Sequence, residues 1–147
     1  MVLQICLGFM KGDLDLAKDL SQEVFINTWK ALDKFNNASS HKTWIYRITV
    51  NTCLKYIRDR KDKHHVTINE VHAYIADDSG QLSDPSHQFL YQAIGQLGEV
   101  DRLIIMMVLD EVEYEEISNI IGISEGNLRV KIHRIKKNLK KILENER

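Results

Sequence analysis

The chain of 147 residues contains a single proline, two cysteines and only 7% aromatic residues. So little proline and so few aromatics exclude a strand-and-turn protein and favour helices. Cys6 and Cys53 lie far apart within apolar patterns, so they suggest neither a disulfide framework nor a zinc site. A reduced, intracellular protein is the simpler reading, and a cytoplasmic location is expected. No apolar run reaches the ~18 residues that a membrane span needs, so no membrane insertion is expected. Met1–Met10 is apolar but lacks a basic n-region and a small-residue cleavage site, which argues against a signal peptide. It reads instead as a short or truncated first helix ending near Gly12. Asn37-Ala38-Ser39 fits a glycosylation acceptor only by chance in a chain without a secretory signal. The six histidines, two cysteines and carboxylates form no spaced cluster, so no catalytic residue, metal or cofactor is expected.

What the chain has in quantity is charge, and the charge is sorted. The formal net charge is −1 over 20 Lys/Arg and 21 Asp/Glu. Residues 1–63 carry eleven basic and seven acidic side chains, a net +4; residues 64–128 carry one and twelve, a net −11; residues 129–147 carry eight and two, a net +6. Two basic blocks flanking an acidic one describe separate surfaces, not one neutral protein.

Periodicity sorts the chain into helices. Ala17, Leu20, Val24, Thr28, Ala31 and Phe35 recur three or four apart, predicting a long amphipathic helix that starts at Asp13. Phe25, Trp29 and Leu32 are expected to widen its apolar stripe. The polar run Asn36-Asn37-Ala38-Ser39-Ser40 stops it, and a second helix follows from His41 to Lys63. Residues 64–85 hold His64-His65, Asp77-Asp78-Ser79-Gly80 and Asp84-Pro85, with little periodicity beyond Val66–Ile75. So long a patternless segment reads as an acidic linker between two domains, 1–63 and 86–147. Asp84 then caps a helix with Pro85 in its first turn, and Phe89, Leu90, Ala93, Ile94 and Leu97 give its buried face. Gly98 breaks that helix. Val100–Leu109 is apolar nearly all round and becomes the central helix of the second domain. The expected fold is all-α: two small helical bundles, neither with a large core, joined by a flexible linker, the second ending in a helix-turn-helix.

The strongest local signal runs from Tyr114 to Arg134. A short helix carrying the small Ser118 is followed four residues later by Gly122, where a tight turn needs positive φ, and Ser124 can cap the next helix. In that helix Leu128, Ile132, Ile135, Leu139 and Ile142 form one apolar stripe. The opposite face presents Gly126, Val130, His133, Arg134, Lys137 and Lys141, with Asn127 and Arg129 on its flanks. A recognition helix needs this division, one side fixed to its domain and the other narrow enough for the ~12 Å major groove. Asn127, Arg129 and Arg134 are the candidate base readers, Val130 suits a thymine methyl, and the later lysines suit phosphates. A basic amphipathic helix is otherwise an ordinary solvated bundle helix.

A second face lies on the helix 41–63, where Trp44, Arg47, Asn51, Lys55 and Arg58 fall along one stripe, preceded by His41 and Lys42. An aromatic, an amide and three cations in a row suit stacking on bases and following a backbone. The alternatives are a core tryptophan and a wet cationic face. On the first long helix, Asp19, Gln22 and Glu23 form an acidic and amide patch that would repel DNA. Such a patch suits a protein partner or plain solvent.

These residues resemble bacterial RNA polymerase sigma factors of the extracytoplasmic-function type. Asp19–Trp29, Ala31–Phe35 and Thr43–Asn51 are similar to the family's region two, and Leu97–Leu143, above all Gly122–Arg134, to region four. Gly98 stands where the family commonly has proline after the leucine. The resemblance implies that Asp19, Gln22 and Glu23 bind the clamp helices of the largest polymerase subunits. It implies that the loop Asn36, Asn37, Ser39, His41 and Lys42, with Trp44, Arg47, Asn51 and Lys55, captures unpaired bases of the −10 element. By the same resemblance Ser124, Glu125, Asn127, Arg129, Val130, His133, Arg134 and Lys137 read the −35 duplex, and the apolar outer surface of region four contacts the polymerase flap. The acidic linker would occupy the polymerase's basic channel or act as a solubilising tether. Implied partners are core RNA polymerase, promoter DNA and an anti-sigma protein, with a monomer when free. Two rivals stand beside this reading: a dimeric helix-turn-helix repressor or activator acting without polymerase, and a helical adaptor that binds only proteins.

Overall fold

The computed structural model of the chain describes residues 1–63 and 84–146, so the acidic linker expected at 64–85 lies outside them except for its last two residues. The described residues form α1 (Val2–Phe9), α2 (Leu14–Ala31), a 3-10 turn (Leu32–Lys34), α3 (His41–Lys63), α4 (Pro85–Gly95), α5 (Glu99–Leu109), α6 (Tyr114–Ile121) and α7 (Glu125–Asn145).

Helix boundaries fall where side chains satisfy orphan backbone donors. Asp13 Oδ1 accepts the Leu16 N–H at 3.1 Å and starts α2. Asp84 Oδ1 accepts the Ser86 N–H at 2.9 Å, with Pro85 in the first turn of α4. Ser124 Oγ accepts the Asn127 N–H at 3.1 Å and starts α7. Between α6 and α7, Gly122 adopts φ +86°, and its N–H and that of Ile123 both donate to the Ser118 carbonyl, at 2.8 and 3.1 Å. The helix-turn-helix therefore folds around the glycine and the cap that its sequence predicts.

In the first bundle α2 buries Ala17, Leu20, Ser21 and Val24 against α1 and α3. Phe25, Trp29 and Leu32 do not widen this stripe. Each lies 80–140° around the helix from it at ~100° per residue, and the three are exposed by 57%, 78% and 48%. Helix α3 buries Tyr46, Thr49, Val50, Thr52 and Cys53. The threonine hydroxyls donate back to the carbonyls of Ile45 and Ile48, at 2.8 and 2.7 Å, so neither is left unpaired in the core. Asn27 Nδ2 donates to Thr52 Oγ1 at 3.1 Å and pins α2 to α3. Cys6 and Cys53 are both free and buried, and the hydrogen bond from Cys6, then burial, pushes the Cys53 thiol up.

The second bundle packs Ala93, Ile94 and Leu97 of the α4 segment, Leu103–Met107 of α5, Ile117 of α6 and Leu128, Ile132, Ile135 and Leu139 of α7. The two bundles expected from the sequence are thus present, but their cores are continuous. One side of α1 meets α2 and α3, and another meets α4 and α5, while α6 lies against α3.

The Gly122 turn can be tested by stability. A Cβ added at Gly122 would meet nothing within 4 Å, so Gly122→Ala costs only its left-handed torsion, about 1–2 kcal/mol. Thermal denaturation should show Tm falling by roughly 2–8 °C. Gly126→Ala, in open space inside α7 with ordinary φ, should leave Tm unchanged or raise it slightly.

Candidate nucleic-acid interface

The outward face of α7 is built by the burial of its other side. With Leu128, Ile132, Ile135 and Leu139 held in the core, Gly126, Asn127, Val130, His133, Arg134, Lys137 and Lys141 all project into solvent. Val130 is 52% exposed, as expected of a side chain meant to meet something apolar outside the protein. The cations divide into two groups. Lys131 bonds Asp101 of α5 at 3.0 Å, and Arg129 bonds Glu125 at 2.8 Å while its guanidinium lies 5.2 Å from the centre of the Tyr114 ring. Arg134, Lys137 and Lys141 form no ion pair among the described residues. The residues expected to read bases therefore separate: Asn127, Val130, His133 and Arg134 are available, whereas Arg129 and Glu125 hold each other and Ser124 caps the helix.

On α3 the stripe Arg47, Asn51, Lys55 and Arg58 is exposed throughout, opposite the buried Tyr46, Val50 and Cys53. Trp44 is neither a core residue nor free. It is half-buried, with its ring 4.7 Å from that of Phe35, which is also 4.7 Å from His41. Phe35 thereby clamps the end of the first helical segment to the first turn of α3. The intervening loop is set by local bonds. Asn36 Oδ1 accepts the Ala38 N–H at 3.1 Å, Asn37 takes φ +58°, and Ser40 Oγ accepts the Thr43 N–H at 3.1 Å. Asn36, Asn37, His41 and Lys42 are left pointing outward beside Trp44, with Ser39 half-buried among them. Asparagine is among the few residues that tolerate a left-handed backbone, which explains its place at 37.

Two further surfaces differ in character. Asp19, Gln22 and Glu23 are exposed on α2, continuous along the helix with the exposed Phe25, Ile26 and Trp29. A strip that combines carboxylates with large apolar side chains fits a protein and not a phosphate backbone. Between α5 and α7, Ile105, Val108, Leu109, Leu139 and Leu143 line a groove of about 510 Å³ edged by Lys136 and Lys140. Leu109 is 51% exposed there. Neither the α2 apolar strip nor this groove was specified by sequence. The signal for the first was available, because Phe25, Ile26 and Trp29 lie off the i, i+3, i+4 register of the buried stripe.

The sequence reading also missed Arg102, the one basic residue between positions 64 and 128. It is buried in α5, with its Nε donating to the Phe9 carbonyl at 3.0 Å and its Nη1 to the Leu97 carbonyl at 2.8 Å. Burial pulls its pKa down, opposed by Glu99, but a guanidinium stays charged in any protein. The signal was an arginine directly ahead of the unbroken apolar run Leu103–Leu109. Among the described residues no group of three or more His, Cys, Asp or Glu could hold a metal ion. No described helix is long and apolar enough to cross a membrane.

Comparison with known proteins identifies the family. Residues 1–63 match the family model for Sigma-70 region 2, and residues 88–139 that for Sigma-70, region 4. The ECF RNA polymerase sigma factor SigW of Bacillus subtilis (strain 168) is 27% identical over 155 residues, spanning 97% of this chain and 82% of the relative. The ECF RNA polymerase sigma-E factor of Escherichia coli (strain K12) is 31% identical over 129 residues, spanning 79% and 68%. Among solved structures, the sigma factor RpoE from Bartonella quintana, crystallised with the anti-sigma factor NepR, superposes with TM-score 0.75 at 24% identity over 99% of this chain and 91% of its own. CnrH, solved in complex with the cytosolic domain of CnrY, gives 0.68 at 19% identity over 99% and 82%. At such identities the two structures establish the shared fold. With both sigma-70 regions present in order, and 31% identity across two-thirds of a curated relative, the chain belongs to the ECF family of RNA polymerase sigma factors, the subunits that direct core polymerase to promoters.

Proposed function

We propose that this sigma factor divides its work among the surfaces described above, acts in the cytoplasm and performs no catalysis of its own. Helix α7 enters the major groove of the −35 element, with Asn127, Val130, His133 and Arg134 toward base edges and Lys137 and Lys141 toward phosphates. Arg129, Glu125 and Ser124 hold the helix start in position. The loop Asn36–Lys42 and the stripe Trp44, Arg47, Asn51 and Lys55 take up unpaired −10 bases and their backbone. Asp19, Gln22 and Glu23, extended by Phe25, Ile26 and Trp29, dock on core polymerase, and the α5–α7 groove takes the polymerase flap. The observation that carries this reading is the coexistence of two exposed cationic faces on different bundles, without ion pairs among the described residues, with a separate acidic and apolar strip on α2.

Melting follows from binding energy. A base captured in a pocket offsets the few kcal/mol of stacking and pairing lost when it leaves the duplex. The −1 net charge fits a protein that meets DNA on polymerase, since free diffusion onto DNA would call for a basic chain. The partners in the two superposed structures, NepR and the cytosolic domain of CnrY, support an anti-sigma protein as a further partner. A dimeric repressor would use α7 but leave the α3 stripe and the α2 strip without a role, and native mass measurement should find a monomer.

Three variants separate the roles. Arg134→Ala should weaken −35 duplex binding in the holoenzyme by about 1–3 kcal/mol, roughly 5- to 150-fold, and spare core binding. Asp19→Ala combined with Gln22→Ala should weaken core binding by at least ~1 kcal/mol and spare DNA contacts once holoenzyme is formed. Equal loss of core binding in both would refute the division. Trp44→Ala should weaken holoenzyme binding to a single-stranded −10 oligonucleotide by about 1–3 kcal/mol and leave −35 duplex binding unchanged, read by fluorescence anisotropy.

A further inference from the structure

We infer that Val130 selects one thymine of the −35 element by its 5-methyl group, so that part of this chain's promoter choice is set by a methyl and not by a hydrogen bond. The inference deepens the −35 reading proposed above and rests on it.

The fold gives Val130 no reason to be apolar. It is 52% exposed, and among the described residues of α7 it is the only large apolar side chain left on the outside. A β-branched residue on a wet helix face lowers helix propensity and leaves its methyls in water. Its neighbours do not cover it. At ~100° per residue, Gly126 and Asn127 lie one turn before Val130 on the same face, and His133 and Arg134 lie one turn after. Helical side chains lean toward the N-terminus, so the Val130 methyls lean toward Gly126, where a Cβ would meet nothing within 4 Å. Arg129 is held elsewhere, by Glu125 at 2.8 Å and with its guanidinium 5.2 Å from the centre of the Tyr114 ring. The result is a shallow notch within the first two turns of α7, floored by glycine backbone and walled by valine methyls.

The charge around the notch identifies its occupant. Arg134 and Lys137, one and two turns further on, are exposed and form no ion pair among the described residues, so this face suits a polyanion. The major groove of duplex DNA offers one apolar group, the thymine C5 methyl, and the first turns of a recognition helix are those that meet base edges. Gly126 lets the groove approach with no side chain between, while Asn127 and Arg134 suit hydrogen bonds to purines at neighbouring steps. A methyl contact involves no hydrogen bond. It therefore separates thymine from cytosine but not from 5-methylcytosine, which carries the same methyl at the same place in the groove.

Base analogues test the contact directly. A promoter fragment is recovered by the holoenzyme from a random promoter library, and each thymine of its −35 block is replaced in turn by deoxyuridine, which lacks only the methyl. By fluorescence anisotropy, wild-type holoenzyme should lose about fourfold in affinity at one of these positions, the value of one buried methyl. Holoenzyme carrying Val130→Ala, a substitution that favours helix, should bind the thymine and deoxyuridine duplexes at that position equally. With guanine opposite, 5-methylcytosine there should bind wild type about fourfold tighter than cytosine does, and Val130→Ala should show no difference. Wild type indifferent to every deoxyuridine, or a sensitivity that survives in Val130→Ala, overturns the proposal, and weakened binding by Arg134→Ala in the same assay then shows that the −35 assignment of α7 stands without it. If neither Arg134→Ala nor Val130→Ala changes −35 binding, the assignment of α7 fails and the proposal fails with it.

Discussion

The structure depends on a short helix that offers solvent little more than Leu3 and Gln4. Six of the eight residues of α1 are buried, and the helix carries no charged side chain. An amphipathic helix satisfies itself against one neighbour, but one that is apolar nearly all round must be covered on more than one side. Helices α2 and α3 cover part of α1 and cannot cover the rest, and α4 and α5 complete the enclosure. This requirement joins two bundles that would otherwise be separate, places Gly8 against Met106, and brings Phe9 over Arg102.

The remaining helices each keep an outer face in solvent. Each exposed surface is the geometric complement of a buried one. The stripe Leu128–Leu139 puts Val130 and Arg134 outside, Tyr46–Cys53 puts Arg47 and Lys55 outside, and Ala17–Val24 leaves Phe25 and Trp29 outside. The sorting of charge follows the same division. Cations that hold the fold, Arg102 and Lys131, are paired with backbone carbonyls or with Asp101, whereas those on the two candidate DNA faces are left to solvent. Net charge near zero thus conceals two cationic faces and an acidic middle.

Legibility in the sequence followed the range of the interaction. Asp13, Asp84, Gly122 and Ser124 were readable because caps and turns act within four residues, where residue type and spacing carry the whole geometry. The outward faces of α3 and α7 were readable because helical periodicity alone places them. Phe25, Trp29 and Leu32 were misplaced by treating hydrophobicity as burial, although their angle from Ala17, Leu20 and Val24 already set them apart. The contact between the two bundles was not readable at all. It joins residues more than ninety positions apart, as in Arg102 to Phe9, and no local pattern encodes which two apolar surfaces meet. The Phe35 clamp on His41 and Trp44 was missed for a related reason, since Phe35 reads equally well as the last member of the α2 stripe.

The central claim is that one chain reads duplex DNA through α7 and unpaired bases through α3 only in the company of polymerase. Run-off transcription with purified core polymerase on a promoter library tests it most directly. The account predicts transcripts from a defined subset of promoters that share two sequence blocks about 25 base pairs apart, and none from either component alone. Holoenzyme that forms but yields no promoter-specific transcript, or sequence-specific duplex binding by the free chain as a dimer, would contradict it.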